Sequence, residues 1–293
     1  MTSLLCCRVY CQNPGTVDKG ATFPITGNNT RVLVTGAAGF IGFHSASRLA
    51  SLGAQVVGVD DFNGYYSPEL KRARALKLKT TWGVNVVEGD VCDGDMLGGL
   101  FKRFKPTHVL HLAAQPGVRY SLKHPQVYVR ANMQCFVNLL ETMVAPSSSN
   151  KNGEAPELPY LVYASSSSVY GANSKVPFAE SDTADRPANL YGATKRANEQ
   201  TAFAYHQLFG LRSVGLRFFT VYGPWGRPDM AVYSFANAME AGKPITLFNG
   251  GAMRRDFTYV GDIVDGIVKV LGMLCLKGTR RRCPLLCPAI PPL

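Results

Sequence analysis

Residues 31–42 read RVLVTGAAGFIG, an apolar β-prone run that breaks into three spaced glycines and then into a helical pattern. The context matters more than the glycines, because a strand that feeds a glycine turn opening a helix is the phosphate-binding corner of a dinucleotide fold. Gly36 permits the tight turn, Gly39 lets backbone approach a pyrophosphate, and Gly42 allows close helix–sheet packing. Phe40 and Ile41, lying between the last two glycines, are counted with them as cofactor contacts. The helix that follows would turn free N–H groups and a positive dipole end toward the phosphates.

Outward from this corner, short β-rich runs alternate with longer amphipathic stretches. The runs are RVLVTG at 31–36, AQVVGVD at 54–60, VNVVEGD at 84–90, HVLHLAA at 108–114, YLVYASS at 160–166 and VGLRFF at 214–219. Near-continuous apolar strands separated by helices predict an α/β fold, a Rossmann-like doubly wound parallel sheet. Residues 145–159, rich in Pro, Ser and Gly, read as an exposed loop. Beyond residue 219 the pattern changes to a helix near 230–241, a strand ITLF at 245–248 and a helix from about 262, the start of a smaller lobe. The expected organisation is a disordered leader over 1–29, a cofactor-binding domain over 30–219, a partial substrate lobe over 220–272 and a disordered tail over 273–293.

Composition fits an ordinary globular protein, with 46% apolar and 17% charged residues. No stretch approaches the roughly 18 uninterrupted apolar residues of a membrane span, and no basic-then-apolar signal layout opens the chain. A soluble cytoplasmic protein without a membrane segment is the expectation. The net charge of +11 is concentrated in clusters such as KRAR at 71–74 and RRR at 280–282, which read as solvated helix faces and a basic tail. Nucleic acid is not needed as a partner. Six of the eight cysteines lie near the two ends, leaving Cys92 and Cys135 between them. With no paired metal-ligand spacing, no metal is expected, and the cysteines are assigned no chemistry.

The second strand ends at Asp60, 18 residues beyond Gly42, where a carboxylate accepts the hydroxyls of an adenosine ribose. Asp61 and Asn63 follow, and no Arg stands there to receive a 2′-phosphate, so NAD is favoured over NADP. Asp90 and Val91 end the third strand where adenine would lie, and Ala113, Ala114 and Gln115 end the fourth beside the middle of the cofactor. For these last two groups a plain strand-to-helix turn is the alternative.

The fifth strand runs into four serines, 165–168, and Tyr191 follows Ser166 by 25 residues in YGATK. Four apart on a helix, Tyr191 and Lys195 share one face, and an ammonium near a phenol lowers the phenol's pKa. Tyr191 is therefore read as a general base, with Ser166 bonding the same substrate oxygen.

TGAAGFIG, the strand-end Asp60, the serine-rich YASSSSVYG at 163–171 and the Tyr191/Lys195 pair together resemble the extended short-chain dehydrogenases/reductases of the nucleotide-sugar epimerase/dehydratase family, over about residues 30–270. The resemblance implies that Tyr191 removes the proton of a sugar 4-hydroxyl while NAD takes the C4 hydride, and that Lys195 also holds the nicotinamide ribose. It also implies a cofactor contact at Asn132, in a string where Cys135 stands in place of the family's Gly.

AQPGVRYS at 114–121 and LRFFTVYGPWGRPDMA at 216–231 resemble the branch acting on UDP-glucuronate. By that similarity Ser166 and Ser167 contact substrate, Thr220 and Arg227 face the sugar carboxylate, Phe248 lies beside uracil and Arg255 binds the diphosphate. Family dehydratases carry an Asp-Glu pair where this chain has Ser167 and Ser168, which favours 4-epimerisation of a UDP-sugar, with UDP-glucuronate becoming UDP-galacturonate. A UDP-sugar decarboxylase or dehydratase and a catalytically impaired NAD-binding fragment remain the alternatives, and a homodimer is entertained as the assembly. Family members continue for several more elements after RDFTYVGDIVDGI, so the second lobe is expected to be incomplete, without the amino-terminal anchor of plant relatives.

Overall fold

The computed structural model describes residues 8–10, 29–148, 157–252 and 254–273; the side chains of 8–10, 146–148, 248 and 249 lie outside that description. So does most of the expected leader and tail.

The main sheet contains β1 (Arg8–Tyr10), β2 (Arg31–Thr35), β3 (Gln55–Asp60), β4 (Asn85–Glu88), β5 (His108–His111), β6 (Tyr160–Ser166) and β7 (Ser213–Phe218), in the spatial order β1-β7-β6-β5-β2-β3-β4. Strands β2 to β7 are parallel, and their order reverses direction between β2 and β5, the crevice where doubly wound folds bind dinucleotides. Within the expected leader, β1 pairs antiparallel with β7, Val9 opposite Leu216. That part of the leader is an edge strand rather than a disordered segment.

Burial on both faces explains the near-continuous apolar strands. Val32 and Val34 pack with Phe43, Leu49, Ile263 and Ile267 on one side of the sheet, while Leu33 between them packs with Leu97, Phe136 and Leu140 on the other. The helices of this part of the chain are α1 (Phe40–Ser51), α2 (Pro68–Trp82), α3 (Gly94–Phe104), α4 (Val118–Lys123), α5 (Pro125–Tyr128), α6 (Cys135–Ser148) and α7 (Leu190–Phe209), and Ile263 and Ile267 come from a helix of the second lobe. A π-helical stretch, Val129–Gln134, joins α5 to α6. Local chemistry sets several ends. Ser67 caps α2 by accepting from the Leu70 amide at 3.2 Å, and Asn189 caps α7 by accepting from the Gly192 amide at 2.8 Å.

The second lobe pairs β8 (Thr220–Tyr222) with β9 (Phe257–Tyr259) in parallel and adds α8 (Ala231–Glu240) and α9 (Val260–Met273). The expected strand at 245–248 does not form. Residues 245–247 form no regular element and lead into a 3-10 turn, Phe248–Gly251, and the partner of β8 is β9 instead. The expected loop at 145–159 also begins late, since α6 runs through Ser148. No helix among the described residues is long and apolar enough to cross a membrane.

Two further expectations are corrected. Cys92 and Cys135 form a disulfide, with Cα atoms 4.3 Å apart, because the turn after β4 meets the start of α6. In the KRAR cluster, Lys71 and Arg74 are buried, and only the neighbouring Arg72 reaches outward, to Glu88. The helix turns its basic side toward the glycine-rich corner.

Two histidines of β5 are also buried. His111 shares a 2.8 Å hydrogen bond with Thr35 Oγ1, and burial pushes its pKa down to about 3; the His108 pKa falls to about 4 for the same reason. Both stay neutral in the folded chain but take up protons below about pH 6.5 when unfolded. Their contribution to stability is complete above that value and is lost as pH falls toward the folded pKa values. Melting temperature should therefore drop between about pH 6.5 and 4.5, before most carboxylates titrate, and His111→Gln should flatten that slope. A slope identical in the variant would remove His111 from the pH dependence.

Candidate active site

A cleft of about 480 Å³ opens along the carboxyl ends of β2, β3, β5 and β6. Its floor is the glycine-rich turn. Gly36 adopts φ +67°, and a Cβ there would stand 2.7 Å from the Ala113 amide nitrogen. Gly42 packs so closely that a Cβ would lie 2.0 Å from the Gly36 carbonyl oxygen. Gly39 caps α1 without a side chain, and the first turn of α1 holds no acid, so its N–H groups remain available to an anion.

Asp60 lines the cleft and braces the turn at once. One carboxylate oxygen accepts from the Ala38 amide and the other from the Phe62 amide, both at 3.0 Å. Burial raises its pKa, opposed by those amides and by Lys71. Each oxygen keeps a lone pair for a further donor. Asp61 accepts from the Asn63 side chain, and Lys71 donates to the Asn63 carbonyl at 2.8 Å and to its side-chain oxygen at 3.0 Å.

At the far end, Asp90 pairs with Arg130 at 2.7 Å beside Val91 and the disulfide. Ala113, Ala114 and Gln115 form the wall between. Asn132 does not line the cleft. It is buried, accepts from the Gln115 amide at 2.7 Å and donates to Thr194 Oγ1 at 3.1 Å, tying the end of β5 to α7.

Tyr191 and Lys195 face the cleft from α7, and Ser166 reaches it from the end of β6. Ser166 Oγ accepts from the Ser168 amide at 3.1 Å and shares the cleft with the Tyr191 phenol. Lys195 is sunk, donating to the Ala164 carbonyl at 2.9 Å, and burial lowers its pKa to about 8. Tyr191 departs from expectation. Burial raises its pKa, and the opposing effects come from the Ser166 hydrogen bond and the Arg227 charge. The Lys195 ammonium is turned to a backbone carbonyl rather than to the phenol.

Arg227 enters the same cleft, its guanidinium held at two points by Asp229, at 3.0 Å and 2.5 Å, and lying 5.8 Å from the centre of the Tyr65 ring. Tyr65 donates to the same carboxylate, and burial, then Asp229, push its pKa up to about 12. The remaining expected substrate contacts are not gathered here. Ser167 starts a 3-10 turn behind the wall, and Thr220 lines a small adjoining hollow that shares Arg227. Arg255 is exposed and bonded to the Arg254 carbonyl. Phe248 has its side chain outside the described residues. Sequence reasoning missed Tyr65, Tyr66, Lys71 and Arg130 as cleft residues. The first two stand in FNGYYSP directly after Asp60, where an aromatic pair beside a cofactor turn was the available signal.

The model of the NAD dependent epimerase/dehydratase family matches residues 32–276. The chain belongs to this family. It is 51% identical over 249 residues to UDP-glucuronate 4-epimerase 4 of Arabidopsis thaliana, covering 84% of this chain and 55% of that protein. UDP-glucuronate 4-epimerase 1 of the same plant is 53% identical over 238 residues, covering 80% and 53%. The chain thus spans about half the length of the curated relatives it matches. Among solved structures, UDP-glucuronic acid 4-epimerase from Bacillus cereus, in complex with UDP-glucuronic acid and NAD, superposes with a TM-score of 0.72 at 36% identity, covering 85% of this chain and 74% of that one.

The turn and strand ends fit the family's cofactor: a Cβ-free cradle, uncapped N–H groups and a carboxylate at the ribose position. Because Asp60 would face a 2′-phosphate as a like charge, NAD should bind at least about tenfold more tightly than NADP, a difference of about 1.4 kcal/mol, and Asp60→Asn should narrow the gap. Calorimetric titration of both nucleotides into both proteins checks this. Equal affinities in the unmodified chain would overturn the role given to Asp60.

Proposed function

We propose that this chain carries out NAD-dependent 4-epimerisation of a UDP-sugar, converting UDP-glucuronate to UDP-galacturonate. The observation that carries the reading is Arg227, a guanidinium in the same cleft as Tyr191 whose planar fork already grips a carboxylate at two points. The plant and bacterial relatives named above support the choice of sugar. In this reading residues 30–219 hold the cofactor and the acid–base groups, and 220–272 hold part of the sugar lobe.

NAD, when bound, supplies reversible hydride acceptance at the sugar's C4. Gly36, Gly39 and the amino end of α1 would bind its pyrophosphate, Asp60 its adenosine ribose and Lys195 its other ribose. Tyr191 takes the proton from the 4-hydroxyl and returns it after the sugar presents its other face. Ser166, at the same end of the cleft, would bond the same sugar oxygen during both transfers. A phenol raised by burial is a poor base at neutral pH, and the Arg227 charge, which opposes that rise, does part of the activation. Ser167 and Ser168 offer no carboxyl group for elimination of water. Arg227 would read the uronate carboxylate in place of Asp229.

We also infer a homodimer. Val129, Met133 and Val137 are exposed at four-residue spacing from the π-helical stretch into α6, and Phe203 is exposed on the adjacent α7. Such an apolar stripe suits a second copy of the same surface.

Incubation with UDP-glucuronate and NAD, followed by chromatography, should yield UDP-galacturonate. Release of carbon dioxide, loss of water or an unchanged sugar would each overturn the proposal, the last supporting a cofactor-binding piece alone. Tyr191→Phe should abolish turnover while leaving NAD binding within about twofold, since one oxygen is removed. Arg227→Ala should weaken UDP-glucuronate about tenfold to a hundredfold more than UDP-glucose, because a charge-assisted pair contributes about 1.5–3 kcal/mol and the uracil and diphosphate contacts cancel in the ratio. Binding constants for both sugars and both proteins decide it. An unchanged ratio would deny Arg227 the carboxylate.

A further inference from the structure

Arg74 is fully buried in α2, yet its guanidinium is spent on the backbone of two distant segments. Nη1 donates to the Ala38 carbonyl of the glycine-rich turn at 3.0 Å and to the Tyr66 hydroxyl at 2.7 Å. Nη2 donates to the Trp225 carbonyl at 2.6 Å and the Gly226 carbonyl at 3.2 Å. Two consecutive carbonyls converge on one nitrogen because Trp225 adopts φ +58°, a left-handed conformation that a tryptophan keeps only when its surroundings impose it. The next residue but one is Arg227.

Other contacts clamp the same loop. His44 of α1 is 2.8 Å from the Pro224 carbonyl through Nε2, and the Phe43 and Trp225 rings lie 5.6 Å apart. Arg74 itself does not line the cleft. It therefore touches neither nucleotide nor sugar, but joins the backbone under the pyrophosphate to the backbone that carries the carboxylate reader. A lysine, with one nitrogen on a flexible stem, cannot span the three carbonyls.

We propose that Arg74 is a positioning residue that holds the Gly223–Arg227 loop at a fixed offset from the glycine-rich turn, so that Arg227 meets a sugar carboxylate in register with the bound dinucleotide. The sugar part of this statement rests on the UDP-uronate reading of the cleft; the clasp does not.

The test uses Arg74→Lys in the full chain carrying Trp82→Phe, which leaves Trp225 as the one remaining tryptophan. Releasing the loop should shift Trp225 emission to the red and raise its quenching by acrylamide. Circular dichroism should stay unchanged and NAD affinity within about threefold, while the preference for UDP-glucuronate over UDP-glucose falls about tenfold. In an Arg227→Ala background the same change should leave the preference unaltered, because Arg74 acts through Arg227. A folded Arg74→Lys with unchanged Trp225 emission overturns the proposal, as does a shifted emission with an unchanged sugar preference. If the parent chain shows no preference between the two sugars, the functional reading fails and the emission measurement still decides the clasp. Should the lysine variant not fold, Arg74→Gln, which buries no charge, takes its place. Loss of the fold in both variants would make Arg74 a stabilising residue and overturn the positioning role.

Discussion

A buried ion pair between α7 and β7 sets where Tyr191 and Ser166 stand. Glu199, one turn beyond Lys195 and two beyond Tyr191, is gripped by Arg217 through Nε at 2.8 Å and Nη2 at 2.9 Å. Withdrawing two charges from water costs on the order of several kcal/mol per ion, and the cost is offset only when every lone pair is used. Here Ser165 donates to one Glu199 oxygen at 2.6 Å and Arg196 to the other at 2.8 Å. Burial alone would raise the Glu199 pKa; the Arg217 hydrogen bonds and charge outweigh it and hold the carboxyl below its ordinary value. Ser165 precedes Ser166 on β6, so the bond that satisfies Glu199 also fixes the phase of α7 against that strand. The meeting of Tyr191 with Ser166 follows from it.

The cleft gathers cations while burial presses them toward neutrality. Lys71 and Lys195 are both shifted downward by desolvation, and Arg227 is kept charged by Asp229 despite its burial. Asp60, Asp61 and Asp90 line the same cavity, so the cations there stand among carboxylates rather than alone. The excess positive charge of the whole chain thus has a partial local purpose, although the KRAR cluster reads as a solvated helix face.

Local pattern carried the six parallel strands and the glycine corner, because a strand buried on both faces must be apolar along its length and a turn under a phosphate must lack Cβ atoms. The Tyr191/Lys195 pair was equally visible, since four-residue spacing is a property of one helix. What was hidden depended on partners distant in the chain. Strand β1 is three residues long and exists by pairing with β7, about two hundred residues later. Cys92 and Cys135 reveal nothing until the end of β4 meets the start of α6. The burial of Arg74 requires a loop 151 residues away, and no periodicity in KRAR announces it. The upward direction of the Tyr191 shift was not visible because spacing shows that Lys195 is near but not how deeply the phenol is buried. Within the second lobe, ITLF has the composition of a strand, but FTY won the edge of β8.

The contacts made by two glycines, Gly42 of the cofactor turn and Gly171 after the 3-10 turn that follows β6, carry a consequence for inheritance. At Gly42 the atom that would meet a new Cβ is the Gly36 carbonyl oxygen, and at Gly171 it is the Arg186 carbonyl oxygen, 1.9 Å away. Both obstacles are main-chain atoms, identical whatever residue occupies the facing position. A clash with a side chain can be relieved by shortening that side chain, so the second mutation restores the first. Here no replacement at Gly36 or Arg186 removes the offending atom. Lesions at Gly42 and Gly171 should lack compensating partners at those facing positions, leaving reversion or a shift of the backbone itself as the routes back.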